Sequence, residues 1–140
     1  MDLKSLAYTS FARLDLTGDD LAAIHRTARD INAIEGVTGL LIYNGTHFLQ
    51  IVEGAQDAID SLVERLRRDP RHSGFEVRDE RWIAERCFPE WSMELALVKS
   101  SYFEARDDIV ERLPAGVPPE VRERLLAMTE RISGTVEMPT

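Results

Sequence analysis

The sequence predicts an α+β domain in which two helices cross between the strands of one mixed sheet. Three observations lead to this fold class: an Asn44-Gly45 turn between two apolar runs, two amphipathic helical segments, and further segments of alternating apolar residues. The length of 140 residues fits one domain, and a chain of this size buries roughly two-thirds of its unfolded surface.

The first strand and the first helix follow from local patterns. Residues 3–10 alternate, which predicts a strand with Tyr8 on its inward face. Thr17 and Asp20 have the spacing of a capping box, so a helix is expected to begin there. Gly36 interrupts the helical run of apolar residues and predicts the end of this helix.

A hairpin and a second helix come next. Residues 40–43 and 47–52 are predicted as antiparallel strands, because Asn-Gly between apolar runs is a strong signal for a tight turn. The second helix is closed by Asp69-Pro70, since the residue before a proline disfavours the helical conformation. The apolar stripe of this helix consists of Ile59, Leu62, Val63 and Leu66.

The second half of the chain contains two weaker strands and two C-terminal helices. Residues 75–83 predict a fourth strand, and their many charges favour the edge of a sheet. Residues 93–97 alternate and predict a fifth strand. A weak helix is expected over residues 106–113, and a terminal helix follows the proline-containing segment 114–119. The apolar stripe of the terminal helix is Val121, Leu125, Met128 and Ile132.

The predicted element order is βαββαββ. This is the order of a ferredoxin-like mixed sheet with both crossover helices on one face. The C-terminal helices are then free to pack on the other face of the sheet or on a partner. The sequence therefore predicts a domain of residues 1–98 and a C-terminal helical extension of residues 99–140.

Composition and charge argue against several classes of protein. The formal net charge is −8 with a pI near 4.9, which opposes binding to the phosphate backbone of nucleic acids. The single cysteine, Cys87, excludes an internal disulfide, and the three histidines are too scattered for a metal site. No membrane-length apolar run and no signal-peptide pattern appear, so a cytoplasmic protein without membrane contact is expected.

Three polar side chains are predicted to point inward: Tyr8 in the first strand, Asn32 at the end of the first helix, and Gln50 in the third strand. Strand alternation places Gln50 on the same face as Phe48 and Val52. A buried amide without a partner costs roughly 1–3 kcal/mol, so Gln50 requires a polar neighbour. Each residue alone has a structural explanation, as a core tyrosine, a helix cap or an amide bonded to backbone. Together they favour a flat, heteroatom-rich ligand between the two helices.

Six segments of the sequence form a recognisable set. They are Leu6-Ala7-Tyr8-Thr9-Ser10, Ala28-Arg29-Asp30-Ile31-Asn32, Val37-Thr38-Gly39-Leu40-Leu41, Phe48-Leu49-Gln50-Ile51-Val52-Glu53-Gly54, Asp69-Pro70-Arg71-His72 and Arg86-Cys87-Phe88-Pro89-Glu90-Trp91-Ser92-Met93. Together they closely resemble the BLUF domain, a sensor of blue light using FAD, over residues 1–98. The short extension is similar to family members that carry no fused enzyme, which implies a sensor and not an enzyme.

The resemblance implies a flavin held between the two helices, with FAD expected and FMN as the alternative. Asn32 would hydrogen-bond the pyrimidine side of the flavin. Arg65 and Asp69 would do so from the other edge, with a looser match for Arg71 and His72. The other residues expected at the flavin are Ile24, Ala28, Arg29, Phe48, Gln50, Leu62 and Leu66.

The resemblance also implies a light-driven rearrangement of hydrogen bonds. Tyr8 and Gln50 match the photoactive pair of the family, and Trp91 and Met93 match its switching residues. Exchange of donor and acceptor at Gln50 would shift the flavin absorption to the red. Ile51 stands where some members have a tryptophan, so a quenching role is not carried over. The signal would pass through the last strand and the C-terminal helices to a separate, unidentified protein. A homodimer of this chain is expected only from the base rate for oligomers.

Two alternatives from other classes remain open at this stage. A hydrolase of the acylphosphatase type would need a phosphate-binding loop with an arginine, for which residues 10–13 are a poor match. An RNA-recognition sheet would need exposed aromatic residues and a basic face, which the acidic charge opposes. A flavin spectrum that changes under blue light would separate the three functions.

Overall fold

The structure is a computed structural model that describes residues 3–89, 93–97, 102–114 and 116–132. Within these ranges the strands alternate with two crossover helices, and two further helices follow the last strand. The elements are β1 (Leu3–Ala12), α1 (Gly18–Glu35), β2 (Thr38–Tyr43), β3 (His47–Ala55), α2 (Gln56–Arg68), β4 (His72–Ile83), β5 (Glu94–Leu97), α3 (Tyr102–Arg112) and α4 (Pro119–Ile132).

The strands of the described chain form one sheet in the order β4-β1-β3-β2-β5. Neighbouring strands are antiparallel except β2 and β5, which are parallel, so the sheet is mixed. This topology confirms the predicted ferredoxin-like α+β fold. In the ladders Gln50 of β3 is the direct partner of Tyr8 in β1 and of Leu41 in β2. A row of neighbouring side chains therefore crosses the middle of the sheet.

The ends of α1 lie where the local signals predicted them. The Thr17 side chain accepts a hydrogen bond from the Asp20 backbone N–H, and the Asp20 carboxylate accepts one from the Thr17 N–H, both at 3.0 Å. This reciprocal pair is the predicted capping box. Gly36 adopts φ 72°, a left-handed conformation that suits glycine, and stops the helix.

Each face of the sheet has its own apolar core. On one face β1, β2 and β3 pack against α1 and α2, with Leu6, Val52, Ile59 and Leu62 buried. The 18-residue α1 buries just Leu21 and Asn32, because much of its inward stripe borders a cavity. On the opposite face the core packs α3 and α4 against the sheet. Its buried residues include Leu40, Leu49, Phe88, Ala96, Ile109, Leu125 and Met128.

The C-terminal helix is also tied to the β2–β3 turn. The Asn44 Nδ2 group, which is buried, donates a hydrogen bond to the carbonyl oxygen of Ile132 at 2.9 Å. Asn44 thereby satisfies a carbonyl of the last turn of α4, which has no partner within the helix. The division of the chain at residue 98 stays a prediction, although α3 and α4 share an apolar core with the sheet.

Two elements begin earlier than their local patterns indicated. β4 starts at His72 and not at residue 75, because its ladder with β1 continues to the pair of His72 with Ala12. It is an edge strand, as its charges predicted. α3 starts at Tyr102 and not at residue 106. Ala105 is fully buried in the core, so packing extends the helix beyond its weak apolar period.

A buried carboxylate fixes the segment that follows β4. Glu53 in β3 is fully buried and accepts hydrogen bonds from the backbone N–H groups of Cys87 at 2.7 Å and Phe88 at 2.8 Å. Arg86 donates to the carbonyl oxygen of Glu53 at 2.8 Å and to that of Gly36 at 2.7 Å. The two backbone N–H groups compensate the burial of the carboxylate, and together with the Arg86 bonds they hold the chain as it approaches β5.

Candidate functional site

A cavity of about 490 Å³ lies between α1, α2 and the sheet. Small-molecule sites typically enclose roughly 300–1,000 Å³. Most of the predicted ligand-binding residues line this cavity. They are Tyr8, Ile24, Ala28, Asn32, Phe48, Gln50, Leu62, Arg65, Leu66, Asp69, Arg71 and His72. Five residues that were not predicted also line it: Thr27, Ile31, Leu41, Arg68 and Pro70.

Asn32 places an unpaired amide in the wall of the cavity. Its side chain is fully buried, and neither Oδ1 nor Nδ2 has a hydrogen-bond partner in the structure. The alternative explanation, in which the Asn32 side chain caps the helix, is not what the structure shows. A buried amide without partners costs roughly 1–3 kcal/mol, which a ligand with both a donor and an acceptor would recover.

Tyr8 and Gln50 are joined by a short, buried hydrogen bond. The Tyr8 hydroxyl donates to Gln50 Oε1 at 2.6 Å, and the two residues are 3% and 2% exposed. The bond forms because the residues are direct partners in the β1–β3 ladder and share the face that borders the cavity. The predicted inward orientation of both side chains is correct.

The other end of the Gln50 amide contacts Met93. Gln50 Nε2 donates to Met93 Sδ at 3.2 Å, and Met93 is buried just before β5. A thioether accepts hydrogen bonds weakly and donates none. Tyr8 as donor and Met93 as acceptor therefore both require the same orientation of the amide, with Oε1 toward Tyr8 and Nε2 toward Met93.

The Tyr8 phenol lies in an apolar, aromatic environment. Its ring is 4.6 Å from that of Phe75 and 6.4 Å from that of His72, centroid to centroid. Burial, with a smaller effect from the negative charge of Asp69, raises the pKa of Tyr8 far above its ordinary value. Tyr8 consequently keeps its proton at neutral pH and remains a hydrogen-bond donor to Gln50.

Charged residues border the cavity where α2 ends. Asp69 accepts a bidentate pair of bonds from the Arg71 guanidinium, the shortest at 2.7 Å, and a further bond from the Arg71 backbone N–H. Burial alone would raise the pKa of the Asp69 carboxyl, but the bonds from Arg71 outweigh it and hold that pKa below its ordinary value. His72 Nε2 lies 2.6 Å from the carbonyl oxygen of Leu66, so that nitrogen is the donor.

Arg65 spans the cavity between the two helices. Its guanidinium donates to the Glu35 carboxylate of α1 at 3.2 Å and to the Ser61 hydroxyl at 3.1 Å. This ion pair is partly exposed, and such pairs contribute little to stability. Arg65 thus lines the cavity as predicted, and one of its nitrogens, Nη1, makes both of these bonds to the protein.

One predicted residue, Arg29, lies apart from the others, and the position of another is not described. Arg29 is exposed and lies outside the cavity lining, because it follows Ala28 by one position and so faces about 100° away around the helix. Trp91 lies outside the described residues. Met93 contacts Gln50 but is not among the residues that border the cavity.

His25 lies outside the cavity lining but contacts Met93, and the sequence did not reveal this contact. It lies on α1, and its Nε2 is 2.8 Å from the backbone carbonyl oxygen of Met93. The sequence could not predict this contact, because His25 belongs to no motif and the two residues are 68 positions apart. The only available signal was its place one residue after Ile24 on the helix.

Among the residues that the structure describes, no group of three or more histidine, cysteine, aspartate or glutamate side chains is arranged to hold a metal ion. Across the same ranges, each helix is too short or too polar to cross a bilayer.

Residues 3–94 match a family model described as BLUF, the sensors of blue-light using FAD. The photoactivated adenylate cyclase subunit beta of Euglena gracilis is 38% identical over 95 residues, which is 67% of this chain and 11% of that protein. The chain thus spans about a tenth of the length of this curated relative.

Solved structures agree with this match. The dark-state structure of BlrB, a BLUF protein, shares 33% identity with a TM-score of 0.70, covering 91% of this chain and 97% of that one. Klebsiella pneumoniae BlrP1 with FMN and cyclic diGMP shares 27% identity with a TM-score of 0.78, covering 91% of this chain and 34% of that one. Family match, fold and the paired Tyr8 and Gln50 side chains agree, and the chain belongs to the BLUF family of blue-light sensors that use FAD.

Proposed function

We propose that this chain senses blue light through a flavin held noncovalently in the cavity and through a rearrangement of the Tyr8–Gln50 hydrogen bond. One observation carries the proposal: Tyr8 and Gln50 line a cavity that contains an unpaired amide, and their hydrogen bond continues from Gln50 to Met93. The parts of the mechanism that belong to this chain are the binding, the movement of Gln50 and the transmission through β5.

The residues of the cavity suit a flat, polar-edged ligand such as FAD. Asn32 offers one donor and one acceptor that have no protein partner. Asp69, Arg71 and His72 border the cavity at the end of α2, where the polar edge or the side chain of a flavin could be bound. The apolar faces of the ring would pack against Ile24, Ala28, Phe48, Leu62 and Leu66, which line the cavity. Arg65 would bind the flavin through the guanidinium donors that Glu35 and Ser61 do not use, and Arg29 would contact only a part of the flavin that extends beyond the cavity lining.

Replacing Asn32 with leucine is expected to have opposite effects on the two forms of the protein. Without flavin, the free energy of unfolding should rise by about 1 kcal/mol, because an unpaired buried amide is removed at nearly constant shape. Flavin affinity should fall roughly 5- to 150-fold, since about 1–3 kcal/mol of hydrogen bonding is lost. Denaturant unfolding of the flavin-free protein and fluorescence titration with FAD measure the two quantities. Unchanged affinity would remove Asn32 from the binding site.

When bound, the flavin supplies the absorption of blue light and an excited state that can accept an electron. Among the described residues that border the cavity, Tyr8 is an oxidisable side chain, and its proton points at Gln50 Oε1 across 2.6 Å. An electron that leaves the phenol can therefore be followed by this proton, which moves to Gln50 Oε1 without any prior rearrangement. Return of the electron and the proton restores Tyr8, so no residue is consumed.

Gln50 can exchange its donor and acceptor ends, either by rotation or by tautomerisation. After rotation by 180°, Nε2 would face Tyr8 and Oε1 would face Met93 Sδ, where no hydrogen is available for a bond. The rotated amide thus loses its bond to Met93, and this loss favours thermal return to the original arrangement. A light-driven state that reverts in the dark follows from the chemistry of these two neighbours.

Blue light is expected to produce a small, reversible red shift of the flavin absorption. The test is a light-minus-dark spectrum of the purified, FAD-loaded protein and of its Cys87→Ala variant. The variant should respond like the unchanged protein, because Cys87 packs with the core on the face opposite the cavity. Burial and the nearby Glu53 carboxylate also raise the pKa of its thiol to about 11. Bleaching of the flavin band that disappears in Cys87→Ala would indicate a cysteine adduct and contradict the proposal.

The signal is proposed to leave the site through Met93, β5 and the C-terminal helices, toward a separate downstream protein in the cytoplasm. Loss of the Gln50 bond acts on Met93, which directly precedes β5, and β5 shares a core with α3 and α4. Hydrogen exchange of residues 94–132 should therefore change on illumination more than that of α1. Alternatively, the signal could act on a second copy of this chain in a homodimer. Light scattering before and after illumination would show whether the oligomeric state changes, which distinguishes a homodimer from a separate downstream protein. Changes confined to α1 would contradict this route.

A further inference from the structure

His25 connects the first crossover helix to the residue that receives the signal. Its Nε2 atom lies 2.8 Å from the backbone carbonyl oxygen of Met93, and the contact is partly buried. A carbonyl oxygen can only accept, so His25 donates through Nε2–H, which fixes its neutral tautomer. Protonation of the ring would keep the same donor in place.

Met93 is consequently held at two atoms by two different elements. Gln50 of β3 donates to its Sδ, and His25 of α1 donates to its carbonyl oxygen. The next residue, Glu94, begins the parallel ladder of β5 with β2 through its pairing with Leu40. The His25 bond therefore attaches the start of β5 to α1, beside the point where the strand joins the sheet.

The two bonds differ in how they respond to the switch. Rotation of Gln50 removes the donor from Met93 Sδ, because a carbonyl oxygen replaces the Nε2–H group. The His25 bond does not involve Gln50 and remains available. It would then oppose a displacement of the Met93 backbone and would be weakened by a movement of β5.

We infer that His25 is a positioning residue that holds Met93 in its dark position and thereby shortens the lifetime of the light-adapted state. The inference rests on the proposed Gln50 switch and deepens it. A bond that exists fully in the dark and is weakened in the light favours the dark arrangement. Its removal should prolong the light-adapted state without affecting the photochemistry itself, since His25 does not line the cavity.

Dark recovery of the flavin spectrum after a blue pulse provides the test, in His25→Leu and His25→Gln variants loaded with FAD. Leucine removes the donor, and recovery should slow about two- to tenfold, as expected for the loss of one neutral hydrogen bond. Glutamine keeps an N–H at a similar reach, and recovery should lie within about twofold of the unchanged protein. Arg26→Leu, an exposed change on the same helix, is the matched control and should recover normally. The size of the red shift and the flavin content should be the same in all four proteins.

Recovery of His25→Leu that is as fast as or faster than normal would overturn the inference, as would a His25→Gln variant that is as slow as His25→Leu. A missing red shift in the unchanged protein would instead refute the proposed function, and the inference with it.

If His25→Leu does not retain flavin, the role of His25 is tested by an NMR measurement on the unchanged protein. The protein is labelled with carbon-13 at the carbonyl of methionine and with nitrogen-15 in glutamate. The NMR signal of the Met93–Glu94 peptide can then be selected, since no other Met-Glu pair occurs in the sequence. Its carbonyl signal should shift in the light, and an unmoved signal beside a normal red shift would contradict the role of His25.

Discussion

Replacing Gln50 with leucine is expected to abolish the light-driven red shift while leaving flavin bound. Leucine has a similar shape but neither donates nor accepts, so Tyr8 loses its acceptor and Met93 its donor. The unpaired, buried Tyr8 hydroxyl should also lower the free energy of unfolding by about 1–3 kcal/mol. Light-minus-dark spectra and the flavin-to-protein ratio measure the two outcomes separately.

Two further variants complete this experiment. Tyr8→Phe should also lose the red shift and keep the flavin, because it removes the other member of the pair. Gln56→Leu is the matched control, since Gln56 is exposed at the first position of α2 and should not affect the spectrum. A Gln50→Leu variant with a normal light-minus-dark spectrum would show that the switch does not depend on Gln50.

Gly39→Ala is expected to destabilise the fold by roughly 3 kcal/mol or more. A Cβ atom at this position of β2 would lie 2.0 Å from the backbone carbonyl oxygen of Ile51 in the neighbouring strand, and Gly39 has φ 156°. Backbone atoms of a paired strand cannot rotate away as a side chain can. Denaturant unfolding should show a large drop in the midpoint, and weaker flavin retention should follow, because β2 and β3 form the floor of the cavity.

Gly18→Ala serves as the control for this substitution. Gly18 begins α1, and a Cβ there would have no neighbour within 4 Å. Alanine should therefore be neutral or stabilise the protein by about 0.5–1 kcal/mol through the unfolded state. An unfolding midpoint of Gly39→Ala equal to that of the unchanged protein would mean that β2 does not pair with β3 in the described register.

The features that the sequence predicted well are those set by neighbours along the chain. The capping box at Thr17, the stop at Gly36 and the Asn44-Gly45 turn each depend on a few consecutive residues. Period-two alternation likewise placed Tyr8 and Gln50 on an inward face. Their hydrogen bond was not predictable in this way, because it depends on the register between β1 and β3, which are 42 positions apart at this pair.

The features that escaped prediction depend on contacts between distant elements. The His25–Met93 bond and the bonds between Glu53 and the Cys87 and Phe88 backbone have no local sequence signature. For Glu53, the presence of a carboxylate in the apolar run before Gly54 was a usable hint. Arg29 is expected at the ligand by resemblance of its segment, and the structure places it outside the cavity lining. Resemblance identifies a segment, and helix geometry decides which of its side chains reach the cavity.

The most direct test of the Gln50 switch is the side-chain amide signal of this residue in the dark and in the light. The sequence contains two glutamines, Gln50 and Gln56, so nitrogen-15 glutamine labels two side-chain amides, and Gln56→Leu leaves one. Illumination of the FAD-loaded protein should shift the Gln50 amide signal reversibly, with the same dark recovery as the flavin red shift, and leave the Gln56 signal unchanged. A normal red shift with an unmoved Gln50 amide would contradict the account.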